Sequence, residues 1–182
     1  MSVALIERYT YEDYKLWEGD WELIEGQPIA MAPAPMIKHQ SIAGRFIQLV
    51  GEQLEEECEE CDVLGEEDWK IGSDTVLRPD VVVICDEPSE EYITKTPEIV
   101  VEIISASSAK KDETFKFDIY EKEAVPYYIL IYPDDLKAKV YKLKDGKFFK
   151  EGDFFKEIYK FEGLTCELEL DFDRLFKKYR KK

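Results

Sequence analysis

The sequence predicts an α/β (α+β) fold: a mixed central sheet flanked by helices, with additional antiparallel strands. Three observations predict it. A long helical pattern runs from Met36 to about Glu57, with Ile42, Ala43, Phe46, Ile47, Val50 and Leu54 at spacings of three and four. Three short runs, PDVVVIC at 79–85, PEIVVEIIS at 97–105 and YYILIY at 127–132, are apolar on both faces, as central strands covered on both sides are. Between the last two lies a helical segment over about 109–123, ended by Val125-Pro126. Helix, strands, helix, strand is the pattern of helices packed on a mixed sheet.

The remaining elements follow in chain order. TYEDYKLWE at 10–18 predicts a short helix opened by Thr10. WELIE and QPIAM, either side of Gly26, predict a hairpin that Pro33 and Pro35 end. The long helix comes next, and its acidic end, EEECEE, opposes the helix dipole. Residues 61–71, with Trp69 and Ile71, predict one strand before a turn at GSD. The serines and acidic residues of SASSAKKDE, including Ser105, Ser107 and Ser108, read as loop and helix-cap residues. AKVYKL, the turn KDG at 144–146, KFF and EIYKF predict an antiparallel meander. LTCELEL predicts a last strand and DFDRLFKKYRKK a short helix with a basic end. No repeat or Ser/Gly-rich linker interrupts the chain, so a single domain over residues 1–182 is expected.

The 182 residues carry 41 Asp+Glu against 25 Lys+Arg, a net charge of -16, and 45% are hydrophobic. That balance excludes a disordered acidic tail and disfavours a broad basic surface for nucleic acid. No apolar run approaches the length of a membrane span, and the N-terminus lacks the basic start of a signal peptide. A cytoplasmic location is expected. Of the four cysteines, Cys58 and Cys61 form a lone CxxC, whereas Cys85 and Cys166 lie in apolar runs. With no second CxxC and one histidine, incidental reduced thiols are expected rather than a disulfide or a metal site.

The chemistry concentrates in the middle of the chain. Glu102 interrupts VVEII, where a carboxylate is costly unless a cation or partner holds it. Asp80 opens the neighbouring strand after Pro79, which marks a strand start. Two such carboxylates suit an oxygen-ligated divalent metal, which would activate water and stabilise charge on a phosphodiester. The plainer alternative makes Asp80 a turn residue and pairs Glu102 with a buried lysine or arginine. Asp112, Lys116 and Tyr120 are four apart and share a helical stripe, from which Lys116 can reach the carboxylates. Otherwise Lys116 is a solvated surface residue. His39, the only histidine, stands near the start of the long helix, where capping or packing is the commoner role. The serines have no GxSxG elbow and no paired His/Asp.

Taken in order, WELIEGQPIAMAPAPMIKHQSIAGRF, RPDVVVI, PEIVVEIISASS and KKDETFKFDIYEKEAVPYYILIYP resemble the Uma-type restriction endonuclease family of the PD-(D/E)XK nuclease superfamily. The resemblance spans a core of about residues 20–145. It implies a restriction-endonuclease-like fold and a Mg²⁺-dependent (or Mn²⁺-dependent) endonuclease acting on DNA. It implies Asp80 and Glu102 as metal ligands and, with Lys116, as the catalytic set. The superfamily's lysine stands two positions after the acidic residue, and Ile104 occupies that place here, so Lys116 in the following helix takes the role. Glu22 is implied as part of the acidic cluster, with His39 and Tyr120 in support. Ser105-Ala106-Ser107 replaces the family's Ser-Pro-Ser. Lys110, Lys111 and Lys116, with a C-terminal group of Lys177, Lys178, Arg180, Lys181 and Lys182, are expected to give a local positive rim. By analogy with enzymes that cut two strands, a homodimer is expected. The alternative is a catalytically inactive member of the fold, acting as a binding or assembly module.

Overall fold

The computed structural model describes residues 7–31, 36–105 and 111–180, the side chains of Glu57, Lys111 and Asp112 excepted. Pro33, Pro35, Ser107, Ser108, Lys110, Lys181 and Lys182 lie outside it. The first turn, α1 (Tyr11–Tyr14), is closed by a capping box in which Thr10 and Asp13 bond each other. Strands β1 (Trp21–Ile24) and β2 (Gln27–Ala30) form the expected hairpin. Its turn places Glu25 and Gly26 at φ 48° and 74°, the backbone a two-residue hairpin loop needs. The long helix α2 spans Ile37–Glu57.

Residues 61–71 do not make one strand. They divide into β3 (Cys61–Gly65) and β4 (Trp69–Lys70), which belong to different sheets. The break falls at Glu66, whose φ of 54° takes the chain out of extended geometry. A short strand that the sequence did not suggest, β5 (Val76–Leu77), joins β4 to β1. Strands β6 (Val81–Cys85) and β7 (Ile99–Ile103) follow as expected. A π-helical turn, Lys111–Lys116, leads into α3 (Phe117–Lys122) and then β8 (Tyr127–Tyr132). Strands β9 (Lys137–Lys144) and β10 (Lys147–Phe154) form a hairpin, but β11 (Ile158–Phe161) leaves the expected meander and pairs with β12 (Leu168–Asp171). A last helix, α4, spans Phe172–Phe176, with the Asp171 side chain capping Arg174 N–H.

The main sheet has the order β10-β9-β8-β7-β6-β3, with β7 and β8 parallel and the other pairs antiparallel. The parallel step needs a crossover, which the π-turn and α3 supply. Alternation along the strands divides the core. Val81, Val83, Ile99, Val101, Ile103, Ile129 and Ile131 pack with the apolar stripe of α2. Val82, Val100, Tyr128 and Leu130 pack on the other face with Trp69 and Tyr120. The sheet is therefore covered on both sides where its strands are apolar throughout.

The cysteines are not separate. Cys58 ends α2, Cys61 begins β3, Cys85 ends β6, and Cys166 precedes β12. The structure sets the Cys58 sulfur against that of Cys166 and the Cys61 sulfur against that of Cys85. The expectation of incidental thiols is thus corrected: sequence separation of 108 residues hid a convergence that tertiary packing creates. Among the described residues, no helix is long and apolar enough to cross a membrane.

Candidate active site

Strand register places the two key carboxylates on neighbouring strands, at facing positions. Val81 pairs with Val101 and Val82 with Val100, so one step further along the ladder sets Asp80 opposite Glu102. Asp80 lies just outside the paired strand, and its carboxylate turns toward α2 rather than along the Glu102 side. Asp80 sits at the mouth of the sheet, its side chain 18% exposed. Its Oδ2 accepts the Ile103 N–H at 2.6 Å and lies 3.2 Å from His39 Nε2 on the first turns of α2.

Glu102 lies deeper, 2% exposed, on the face opposite α2. Its Oε1 accepts from Lys116 Nζ at 2.7 Å and from the Tyr120 hydroxyl at 2.7 Å. Lys116 ends the π-turn and Tyr120 follows one helical turn later, so both reach the same oxygen. A π-turn in this position re-aims the side chain that ends it, a device common at functional sites. Lys116 Nζ also lies 2.7 Å from Glu22 Oε1, on the fully buried β1 side chain. The same Glu22 oxygen accepts the Arg78 N–H at 3.0 Å. Lys116, itself 2% exposed, therefore bridges two buried carboxylates.

These contacts gather the six residues singled out in the sequence into two sets, Asp80 with His39 and Glu102 with Lys116, Tyr120 and Glu22, and the Ile103 N–H bond places Asp80 beside the residue that follows Glu102. Lys116 is not a solvated surface residue, and the expected partner of Glu102, a buried lysine, is Lys116 itself. The expected basic rim is correspondingly different, because Lys116 points inward. Lys178 lies against Ser41 of α2 at 3.4 Å, and Lys38, beside His39, lies over the Tyr179 ring. Arg180 is engaged with Asp173. Arg78 was not singled out in the sequence. Its backbone holds Glu22, and its guanidinium joins Asp68 and Asp20 at 2.8 and 2.9 Å. The signal was its place in RPD, directly before the Pro-Asp step.

The electrostatics follow from burial. Desolvation, then the Glu102 charge, pushes the Tyr120 phenol well above its ordinary range, so it stays a neutral donor. Burial pulls His39 down, but the hydrogen bond and charge of Asp80, joined by Glu66, outweigh it and raise the imidazole pKa. His39 Nδ1 is buried without a hydrogen-bond partner among the described residues. Three carboxylates and one lysine leave an excess of negative charge, which favours a cation. The oxygen donors of Asp80 and Glu102 fit a hard ion such as Mg²⁺ or Mn²⁺. Among the described residues, Asp80 and Glu102 belong to no group of three ligand atoms within 4.8 Å of one another. Water and substrate oxygens would fill the remaining positions, as is usual for Mg²⁺.

No curated protein matches the chain. The fold is that of a solved protein from Anabaena variabilis ATCC 29413, described as "a putative nuclease belonging to DUF820". The two share 19% identity at a TM-score of 0.73, over 93% of this chain and 98% of that one. The model of the Uma2 family, described as "Putative restriction endonuclease", matches residues 11–170. The chain belongs to the Uma2 restriction-endonuclease-like family.

Proposed function

We propose that the protein is a Mg²⁺-dependent (or Mn²⁺-dependent) endonuclease that hydrolyses phosphodiester bonds of DNA. One observation carries the reading. Glu102, a carboxylate on a fully buried strand, stands opposite Asp80 and is held by Lys116 and Tyr120 on a single oxygen. A structural ion pair needs no second carboxylate at the mouth of the sheet, nor a histidine set on it.

In this reading Asp80 and Glu102 hold the ion, which supplies charge neutralisation and a more acidic water. Glu22 keeps Lys116 in place beside Glu102, from where its ammonium would stabilise negative charge developing on the phosphoryl oxygens. Tyr120 donates to Glu102 and fixes its rotamer. Asp80 orients His39, whose raised pKa suits it to contact a phosphate as a cation. DNA approaches locally, along the start of α2, where Lys38 and Lys178 lie. The net charge of -16 makes binding weak away from that edge and strongly salt-sensitive. A twofold homodimer is the economical way for one centre per chain to cut both strands.

The test is cleavage of supercoiled and linear DNA by purified protein with Mg²⁺, with Mn²⁺ and with chelator. Cleavage should require metal and vanish in Asp80→Asn and Glu102→Gln. Cleavage that survives in Glu102→Gln overturns the proposal. A specific observation favours a second reading, a binding or assembly module. Lys116 already satisfies Glu22 and Glu102, which gives the cluster a use in folding alone. Under that reading Mg²⁺ leaves the thermal midpoint unchanged, whereas an ion bound to the native state raises it.

A further inference from the structure

We propose that Cys58, Cys61, Cys85 and Cys166 form a tetrathiolate zinc site, remote from the carboxylates, that fastens the β11–β12 hairpin and α4 to the edge of the main sheet. The four sulfurs come from four separate segments: the end of α2, the start of β3, the end of β6 and the loop before β12. The sulfurs of Cys58, Cys61 and Cys166 lie within 4.8 Å of one another. The Cys61 sulfur, set against that of Cys85, also lies 3.2 Å from that of Cys166. One sulfur therefore has two partners at close range, which pairwise disulfides do not require and a shared ion does. The Cys61 and Cys85 Cα atoms are 4.0 Å apart, below the usual disulfide range of about 4.4–6.8 Å.

The sequence supplies half of the usual spacing: a CxxC that runs onto a strand, with Cys85 and Cys166 in place of the second close pair of closed structural zinc sites, brought in by the fold. Soft thiolates in a tetrahedral set select zinc over the hard ions that suit carboxylates. An outer partner is in place. Glu98 offers a carboxylate oxygen within 4.8 Å of the Cys61 and Cys85 sulfurs. That carboxylate is held by the Thr165 N–H at 3.0 Å and its hydroxyl at 2.6 Å, on the residue beside Cys166. Such outer contacts orient ligands around a metal. An acidic cleft lined by Glu52, Glu56, Glu167 and Glu169 opens beside Cys166 and gives a cation an approach. Cys58 and Cys166 are each 8% exposed, so a bound ion is largely shielded from solvent.

The β11–β12 hairpin shares no ladder with the main sheet. Phe161, Leu168 and Leu170 pack it into the core beside α2, and an ion ligated from both β3 and the loop before β12 adds a second tie.

The test is metal analysis of full-length protein purified under reducing conditions with zinc present. The expected result is one zinc per chain, with the four thiols unreactive until a strong chelator is added. Cobalt in place of zinc should give the absorption of a tetrahedral thiolate complex. Cys166→Ala and Cys85→Ser should lose the metal and lower the thermal midpoint, whereas Cys166→His, which supplies another zinc ligand, should keep both. Glu98→Gln should weaken zinc binding by about ten- to hundredfold. Metal-free protein with four reactive thiols overturns the proposal. So does an intact mass reduced by the hydrogens of two disulfides under reducing conditions, or iron with sulfide in place of zinc. None of these readouts depends on nuclease activity.

Discussion

The two faces of β7 use the same buried strand to opposite ends. Toward α2, Ile99, Val101 and Ile103 meet Ile42, Phe46 and Val50, with no charge between them. Away from α2, Val100 and Glu102 meet Tyr120, and Glu102 accepts from Lys116. Every residue of the strand is buried, on both faces alike. The difference is what each face gains from burial. The α2 face gains apolar area and close packing. The other face accepts the desolvation of several charges, which is tolerable only because Lys116, Tyr120 and the Arg78 N–H satisfy them. A fold seeking stability alone has no reason to keep that second face charged.

The comparison breaks most visibly at Glu102. Glu102→Gln keeps the side chain's shape and removes its charge. It should lower metal-dependent DNA cleavage by more than about a hundredfold, several kcal/mol of transition-state stabilisation, and abolish any rise in melting midpoint with Mg²⁺. Unchanged kinetics would place Glu102 on the side of structure. Next is Lys116→Ala, which leaves Glu22 and Glu102 without their cation. Denaturant titration should show a loss of about 3–5 kcal/mol. The double variant Lys116→Ala with Glu102→Gln should lose less than the sum, because the two share one network. Additive losses would mean the network is not coupled.

Tyr120→Phe removes a hydroxyl that donates to a charged oxygen, and about 1.5–3 kcal/mol of stability should go with it. On the α2 face, Ile129→Val should cost about 0.5–1.5 kcal/mol by the same titration and leave the cleavage rate at permissive temperature unchanged. A change in rate there would erase the distinction between the faces. The smallest effect is in pH. His39 has a raised pKa in the folded chain, so its pairing with Asp80 contributes fully below the ordinary histidine value of about 6.5. That contribution is lost as pH rises through the raised native value. An NMR titration of the single histidine should show the pKa falling in Asp80→Asn. A pKa indifferent to that change would remove Asp80 as the cause.

The six candidate residues were legible in the sequence, by two routes. Glu102 stood out physically, as a carboxylate in a run that otherwise admits none. Asp80 stood out through Pro79 and the strand it opens. Lys116 and Tyr120 stood out by their shared helical stripe, whereas Glu22 and the role of His39 needed the family resemblance, because a glutamate in a hairpin and a histidine near a helix start are unremarkable alone. What the sequence misread lies at chain breaks and long-range pairings. Residues 61–71 read as one strand, although Gly65-Glu66-Glu67-Asp68 are types that strands disfavour, and β3 stops there, where Glu66 turns left-handed. EIYKF reads as part of a meander because local pattern does not say which strand is its partner.

The sequence by itself determined the periodicities, the central apolar strands, the crossover and the acidic residues that do not belong among them. These are local properties, set by the spacing of side chains along the backbone. Tertiary structure alone decided that Lys116 would turn inward to bridge Glu22 and Glu102, from strands in two different sheets. It also brought the sulfurs of Cys58, Cys61 and Cys166 within 4.8 Å of one another, with Cys85 beside Cys61, across 108 residues of chain. Such meetings depend on sheet order, strand register and a turn's φ, quantities that packing fixes jointly and that no short stretch of residues encodes.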